Sequence, residues 1–145
     1  MNALHVSNKL GFVGMMAAAA ISLAAYAATA FGDEIQVMLS GDKEVPPVKT
    51  AANGGGTIAV NADMTVAGSV MTTGLAGTMA HIHHGAAGTN GPVLIHLSKS
   101  GDATWSVPAG AKLTDAQYQA YKAGELYINV HSAENKAGEI RGQLK

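Results

Sequence analysis

The chain has 145 residues, nine basic and ten acidic side chains, a formal net charge of −1, six histidines and no cysteine. With no basic run or patch, that balance argues against a nucleic-acid or anionic-lipid partner. The absence of cysteine excludes disulfides as the stabilising device, so stability must come from burial, backbone pairing and a bound metal if there is one.

Residues 1–30 read as a secretory signal peptide. Lys9 gives a weakly positive start, and Leu10 to Ala28 carry no charge and are almost all apolar or small. Ala28-Thr29-Ala30 fits the small-x-small cleavage pattern, with Ala25-Tyr26-Ala27 a second candidate, and the charged Asp33-Glu34 follows. The competing reading is a retained anchor, because about 19 uncharged residues nearly span a bilayer. The richness of the run in alanine and glycine rather than leucine favours cleavage. The expected product is a periplasmic or secreted protein with no membrane contact after cleavage. Residues 31–145 are enough for one domain with one core.

That domain reads as β throughout. Strands are expected at Glu34–Ser40, Gly55–Val60, Thr65–Thr73, Thr78–His83, Pro92–Ser98, Ala103–Val107, Glu125–His131 and Glu139–Leu144, divided by Gly, Asn, Asp or Pro. Asn53-Gly54-Gly55-Gly56 permits unusual backbone angles before a strand. Asn61-Ala62-Asp63-Met64 reads as a tight connection between paired strands. Gly85–Gly91, with its glycines and Asn90, reads as a loop. One helix is expected over Thr114–Ala123, opened by a Thr114/Gln117 capping box and stopped by Gly124. The fold class is an antiparallel β-sandwich or barrel with one short helix.

Five of the six histidines fall in three short apolar runs: Ala80-His81-Ile82-His83-His84-Gly85, Pro92-Val93-Leu94-Ile95-His96 and Asn129-Val130-His131. The sixth, His5, is in the expected leader. Strand faces alternate with period two, so His81 and His83 share one face with Met79, while Ala80 and Ile82 point into the core. Two imidazoles at i and i+2 can reach one ion without backbone distortion. His131 falls on the polar face of its strand and would close the site from a neighbouring one. His96 is a candidate fourth ligand, and His84 begins the loop and is expected in water. Imidazole-only ligation suits copper, zinc or nickel, and a thioether such as that of Met79 suits Cu(I). Asn129 or Glu134 is expected to orient a ligand imidazole through its second nitrogen. Glu134 and Glu139 are otherwise expected in solvent, and Glu139 and Arg141 share a strand face where they can pair. No nucleophile elbow and no phosphate loop is present.

Three motifs in order carry a resemblance. They are Leu39-Ser40-Gly41-x-x-Glu44-Val45-Pro46-Pro47, then Ala80-His81-Ile82-His83-x-Gly85-x-x-Gly88-x-Asn90-Gly91-Pro92-Val93, then Tyr127-Ile128-Asn129-Val130-His131-Ser132 followed by Gly138–Leu144. Together, over about residues 34–145, they resemble the CHRD domain, the module named from chordin and found alone in bacterial exported proteins. The resemblance implies a β-sandwich of immunoglobulin-like or superoxide-dismutase-like character, and no settled enzymatic activity comes with it. The His-x-His strand, glycine loop and late-strand histidine are also similar to copper/zinc superoxide dismutase. That similarity implies His81, His83 and His131 as copper-side ligands with His96 a fourth. The second cluster of histidines and aspartate, and the cysteines, of that enzyme have no counterpart here, so dismutase activity is not expected.

The combined expectation is an exported protein that binds copper, with zinc the alternative metal, for sequestration or delivery. The alternative is a metal-free periplasmic or extracellular interaction or adhesion module with an envelope protein as partner. A redox enzyme at the copper is a third, lesser reading.

Overall fold

The computed structural model describes residues 32–145; the expected signal peptide lies outside them. Among the described residues nine strands occur in chain order: β1 (Asp33–Ser40), β2 (Asn53–Val60), β3 (Val66–Thr73), β4 (Gly77–His84), β5 (Val93–His96), β6 (Ser98–Lys99), β7 (Thr104–Ser106), β8 (Leu126–Ser132) and β9 (Ile140–Gln143). A 3-10 turn (Gly41–Lys43) follows β1, and one helix, α1 (Asp115–Lys122), precedes β8. All the pairings between strands are antiparallel, in the order β5-β4-β8-β9-β1-β2-β3-β7-β6.

The two outermost strands, β5 and β6, are separated in the chain only by Leu97. The sheet must therefore roll until its two ends meet. Leu97 N–H bonds the Ala80 carbonyl at 2.9 Å, and the Trp105 ring of β7 packs where a side chain on Gly77 of β4 would stand. The result is a nearly closed barrel. Strand Pro92–Ser98 of the sequence reading is split at Leu97 because the chain turns there from one end of the sheet to the other.

Inside lie alternate residues of the longer strands, among them Val37, Leu39, Ile58, Val70, Ile82, Ile128, Val130 and Ile140, each no more than 2% exposed. Burial of this kind contributes about 1.5–3 kcal/mol per large aliphatic side chain. Helix α1 adds Ala120 and Tyr121 to the same core. It begins with the expected capping box, Thr114 accepting from Gln117 N–H while the Gln117 side chain accepts from Thr114 N–H. It ends with Gly124 at φ +74 and Glu125 N–H reaching back to the Ala120 carbonyl, a conformation that glycine adopts without steric cost. Asn53–Gly56 is not a prelude to β2 but part of it, and none of its glycines has a positive φ. Glycine is needed there for space: a side chain on Gly56 would fall on the Ser69 carbonyl of β3.

Candidate metal centre

Ala80 and Ile82 of β4 point into the barrel at 1% exposure, so His81 and His83 point outward. Between β4 and β8 the register sets His81 opposite Asn129 and Met79 opposite His131. His131 is therefore the diagonal neighbour of His81 on the same outer face, within side-chain reach. An outward face of a barrel is ordinarily wet. Here His81, His83 and His131 are 7%, 8% and 6% exposed. The cover comes from two turns. The Gly85–Gly91 loop folds back over β4, and the Lys136–Ala137 turn lies beside the end of β8.

Those two turns also set the histidine tautomers. His83 Nδ1 lies 2.9 Å from the Gly91 carbonyl oxygen, and His131 Nδ1 lies 2.9 Å from the Lys136 carbonyl oxygen. A carbonyl only accepts, so each Nδ1 carries the hydrogen and each Nε2 presents a lone pair. His83 Nε2 is buried with no hydrogen-bond partner, a costly state for a polar atom shut away from water. His131 Nε2 lies 3.0 Å from His81 Nδ1. Without an ion, His81 Nδ1–H donates to it. With its proton moved to Nε2, His81 turns a third lone pair toward the same point.

One candidate ligand atom from each of the three rings lies within 4.8 Å of the others, in a group that could hold a metal ion. Tetrahedral bonds of about 2.0–2.1 Å ask for nitrogens roughly 3.3–3.4 Å apart, and His81 Nδ1 and His131 Nε2 already stand 3.0 Å apart. Burial, then the nearby His131, His96 and His83, push the His81 imidazole down to about 4. Burial also lowers His83, against the pull of the Gly91 carbonyl. Both rings are thus neutral at neutral pH, the form that ligates metals.

The remaining candidates sit apart. His96 faces His81 across the β4–β5 ladder with ring centres 4.7 Å apart and planes at 90°, but it is exposed and outside the three-ring group. His84 is half exposed, 3.6 Å from Glu125. Met79 shares the histidine face yet is 48% exposed. Glu134 is exposed and makes no hydrogen bond to a ligand imidazole; backbone carbonyls hold both Nδ1 atoms, and the Asn129 side chain adds a pull on His83 that opposes the effect of burial. Glu139 is not in solvent. It is buried and accepts from Thr50 Oγ1 at 2.7 Å, with the Ser132 hydroxyl and then Thr50 holding its carboxyl below the usual range. It does not pair with Arg141.

Sequence reasoning missed how far this polar layer extends. Arg141 is 1% and Glu44 5% exposed. Glu44 leans over Gly138, where a side chain would strike its carboxylate and the Asn129 amide. The glycines of the loop and the alternation of β9 were signals for such a layer, but nothing local marks Glu44. A cleft of about 670 Å3 opens beside the layer, lined by Gln36, Met38, Lys43, Glu44, Arg141 and Gln143 among others.

No curated protein matches the chain, and no solved structure does. Residues 35–144 match the CHRD domain. The match takes in β2 to β9, all of β1 after Glu34 and both of the covering turns, so by its sequence, over nearly the whole described barrel, the chain belongs to the CHRD domain family.

Proposed function

We propose that this is an exported, periplasmic or secreted protein that binds a transition metal, copper foremost, and sequesters or delivers it. His81, His83 and His131 are the ligands, with His96 at the rim as the candidate fourth. The observation that carries this reading is the pair of backbone carbonyls that leave His83 Nε2 and His131 Nε2 as lone pairs beside His81 Nδ1. Hydrogen-bonded second nitrogens are how proteins hold imidazoles for a metal. Three imidazoles with an open position suit a carrier, since an exchangeable position lets the ion pass on. The test is titration of Cu(II), Cu(I) and Zn(II) into the protein and into His81→Ala and His131→Ala. Unchanged affinity in both variants removes the reading.

One observation favours a second reading. The same hydrogen bonds anchor the Gly85–Gly91 loop and the Lys136–Ala137 turn, which a metal-free interaction module also requires. That reading expects capture of an envelope protein partner that survives a chelator, and the metal reading does not require any such partner.

A further inference from the structure

Behind His83 stands a pile of flat groups. The His83 ring lies over Tyr127 with centres 4.7 Å apart and planes at 5°. The Arg141 guanidinium carbon lies 3.4 Å from the centre of the same tyrosine ring. His83 belongs to β4, Tyr127 to β8 and Arg141 to β9, which are consecutive in the sheet. The tyrosine is therefore held from the strands on either side of it.

Arg141 is almost wholly buried, and the carboxylate that acts on it, Glu44, stands beyond ion-pair distance and attracts it only through space. Its N–H groups reach neutral acceptors instead: the Ala86 carbonyl at 3.1 Å, Asn90 Oδ1 at 3.4 Å and Gln143 Oε1 at 3.5 Å. A buried cation with no carboxylate in contact is unfavourable, and an alkyl side chain would fill the space without that cost. What an alkyl chain lacks is a plane to stack on tyrosine and a rigid fork of donors. Ala86 and Asn90, two of the three acceptors, belong to the Gly85–Gly91 loop. That loop supplies the Gly91 carbonyl to His83 Nδ1, and its Gly91 N–H donates to Tyr127 Oη at 3.3 Å.

Arg141 thus meets His83 along two routes, through the tyrosine ring and through the loop. We infer that Arg141 is a positioning residue that, acting with Tyr127, sets both the plane and the tautomer of His83. Its consequence for metal affinity rests on the metal-binding reading above, but the orientation of His83 exists without an ion.

The test uses the full domain without metal. Long-range nitrogen–proton NMR at neutral pH reads the tautomer of each imidazole. The native protein is expected to show His83 protonated on Nδ1. Tyr127→Phe keeps the ring and should keep that pattern, with zinc affinity within about threefold of native. Tyr127→Leu and Arg141→Lys should blur the His83 pattern into mixed tautomers, leave that of His131 unchanged, and weaken zinc roughly 10–100-fold, as loss of such supporting groups does. A native His83 pattern in both Tyr127→Leu and Arg141→Lys overturns the inference. Should Arg141→Lys fail to fold, Arg141→Gln and the Tyr127→Leu and Tyr127→Phe pair decide it by the same criterion. A native protein that binds no zinc defeats the metal reading alone, because the NMR pattern still decides this one.

Discussion

His81 and His131 stand 50 residues apart in the chain, and in the fold Nδ1 of one lies 3.0 Å from Nε2 of the other. Such a pair exists only while β4 and β8 are zipped together. A ligand of this pair binds the folded chain and not the unfolded one, so it must stabilise the fold. Free Zn(II) at 100 times its dissociation constant should add about 2.7 kcal/mol to the unfolding free energy. Urea melts with metal and with chelator measure this. His81→Ala should show no such gain.

The three-ring group and the rim histidine separate by substitution. His81→Ala, His83→Ala and His131→Ala should each weaken zinc by a hundredfold or more, the order expected for loss of one of three ligands, on the scale of about 1.4 kcal/mol per factor of ten. His96→Ala should weaken it less than tenfold, because its ring is exposed and outside the group. Competition against a chromophoric chelator measures all four. Equal losses would make His96 a full ligand.

Acid should destabilise the domain in a defined window. The His81 imidazole has an ordinary value of 6.5 when unfolded and about 4 in the fold. Between these values the unfolded chain takes up a proton that the folded chain refuses. Stability is therefore complete above about pH 6.5 and falls as the pH drops toward 4. His83 is lowered too and adds in the same direction. Chelator-treated protein melted in urea at pH 7 and pH 5 should be weaker at pH 5, and His81→Gln should shrink the difference. A difference that stays the same or grows in the variant contradicts the assignment.

Much of this site follows from alternation. Ala80 and Ile82 in, His81 and His83 out, is a period-two pattern that any paired strand obeys, and the capping box of α1 is local in the same way. Burial of the outward face was not legible, because it depends on loops that return from Gly85–Gly91 and Lys136–Ala137. The groups that fix the Nδ1 atoms of His83 and His131 are hidden for the same reason: Asn129 adds to the hold on His83, but carbonyls carry most of it. A backbone carbonyl carries no residue signature, and Gly91 and Lys136 do the task with theirs. Glutamate is usually exposed, and Thr50, 89 residues earlier, is what makes the burial of Glu139 tolerable.

Core and surface should respond very differently to the same truncation. Ile128 is fully buried at the centre of β8, and Ile128→Ala should cost about 2–5 kcal/mol. Met71 on β3 is 62% exposed, and Met71→Ala should stay within about 0.5 kcal/mol. Denaturant midpoints at constant slope measure both.

The cap of α1 offers a control remote from the histidines. Thr114→Ala removes the acceptor for Gln117 N–H and should cost about 1 kcal/mol. Zinc affinity should be unchanged, and a loss there would show that the helix and the three imidazoles are coupled.

The single residue between β5 and β6 has a bearing on how this cysteine-free chain behaves in company. An ordinary open sheet leaves a bare row of amides at each margin, and another molecule can add a strand there. Joining the two margins through Leu97 leaves only the short strands β5 and β6 as margins, which weakens that invitation. Lengthening the join by a flexible insert should part the seam, and fibril formation on prolonged incubation would then rise above that of the native chain.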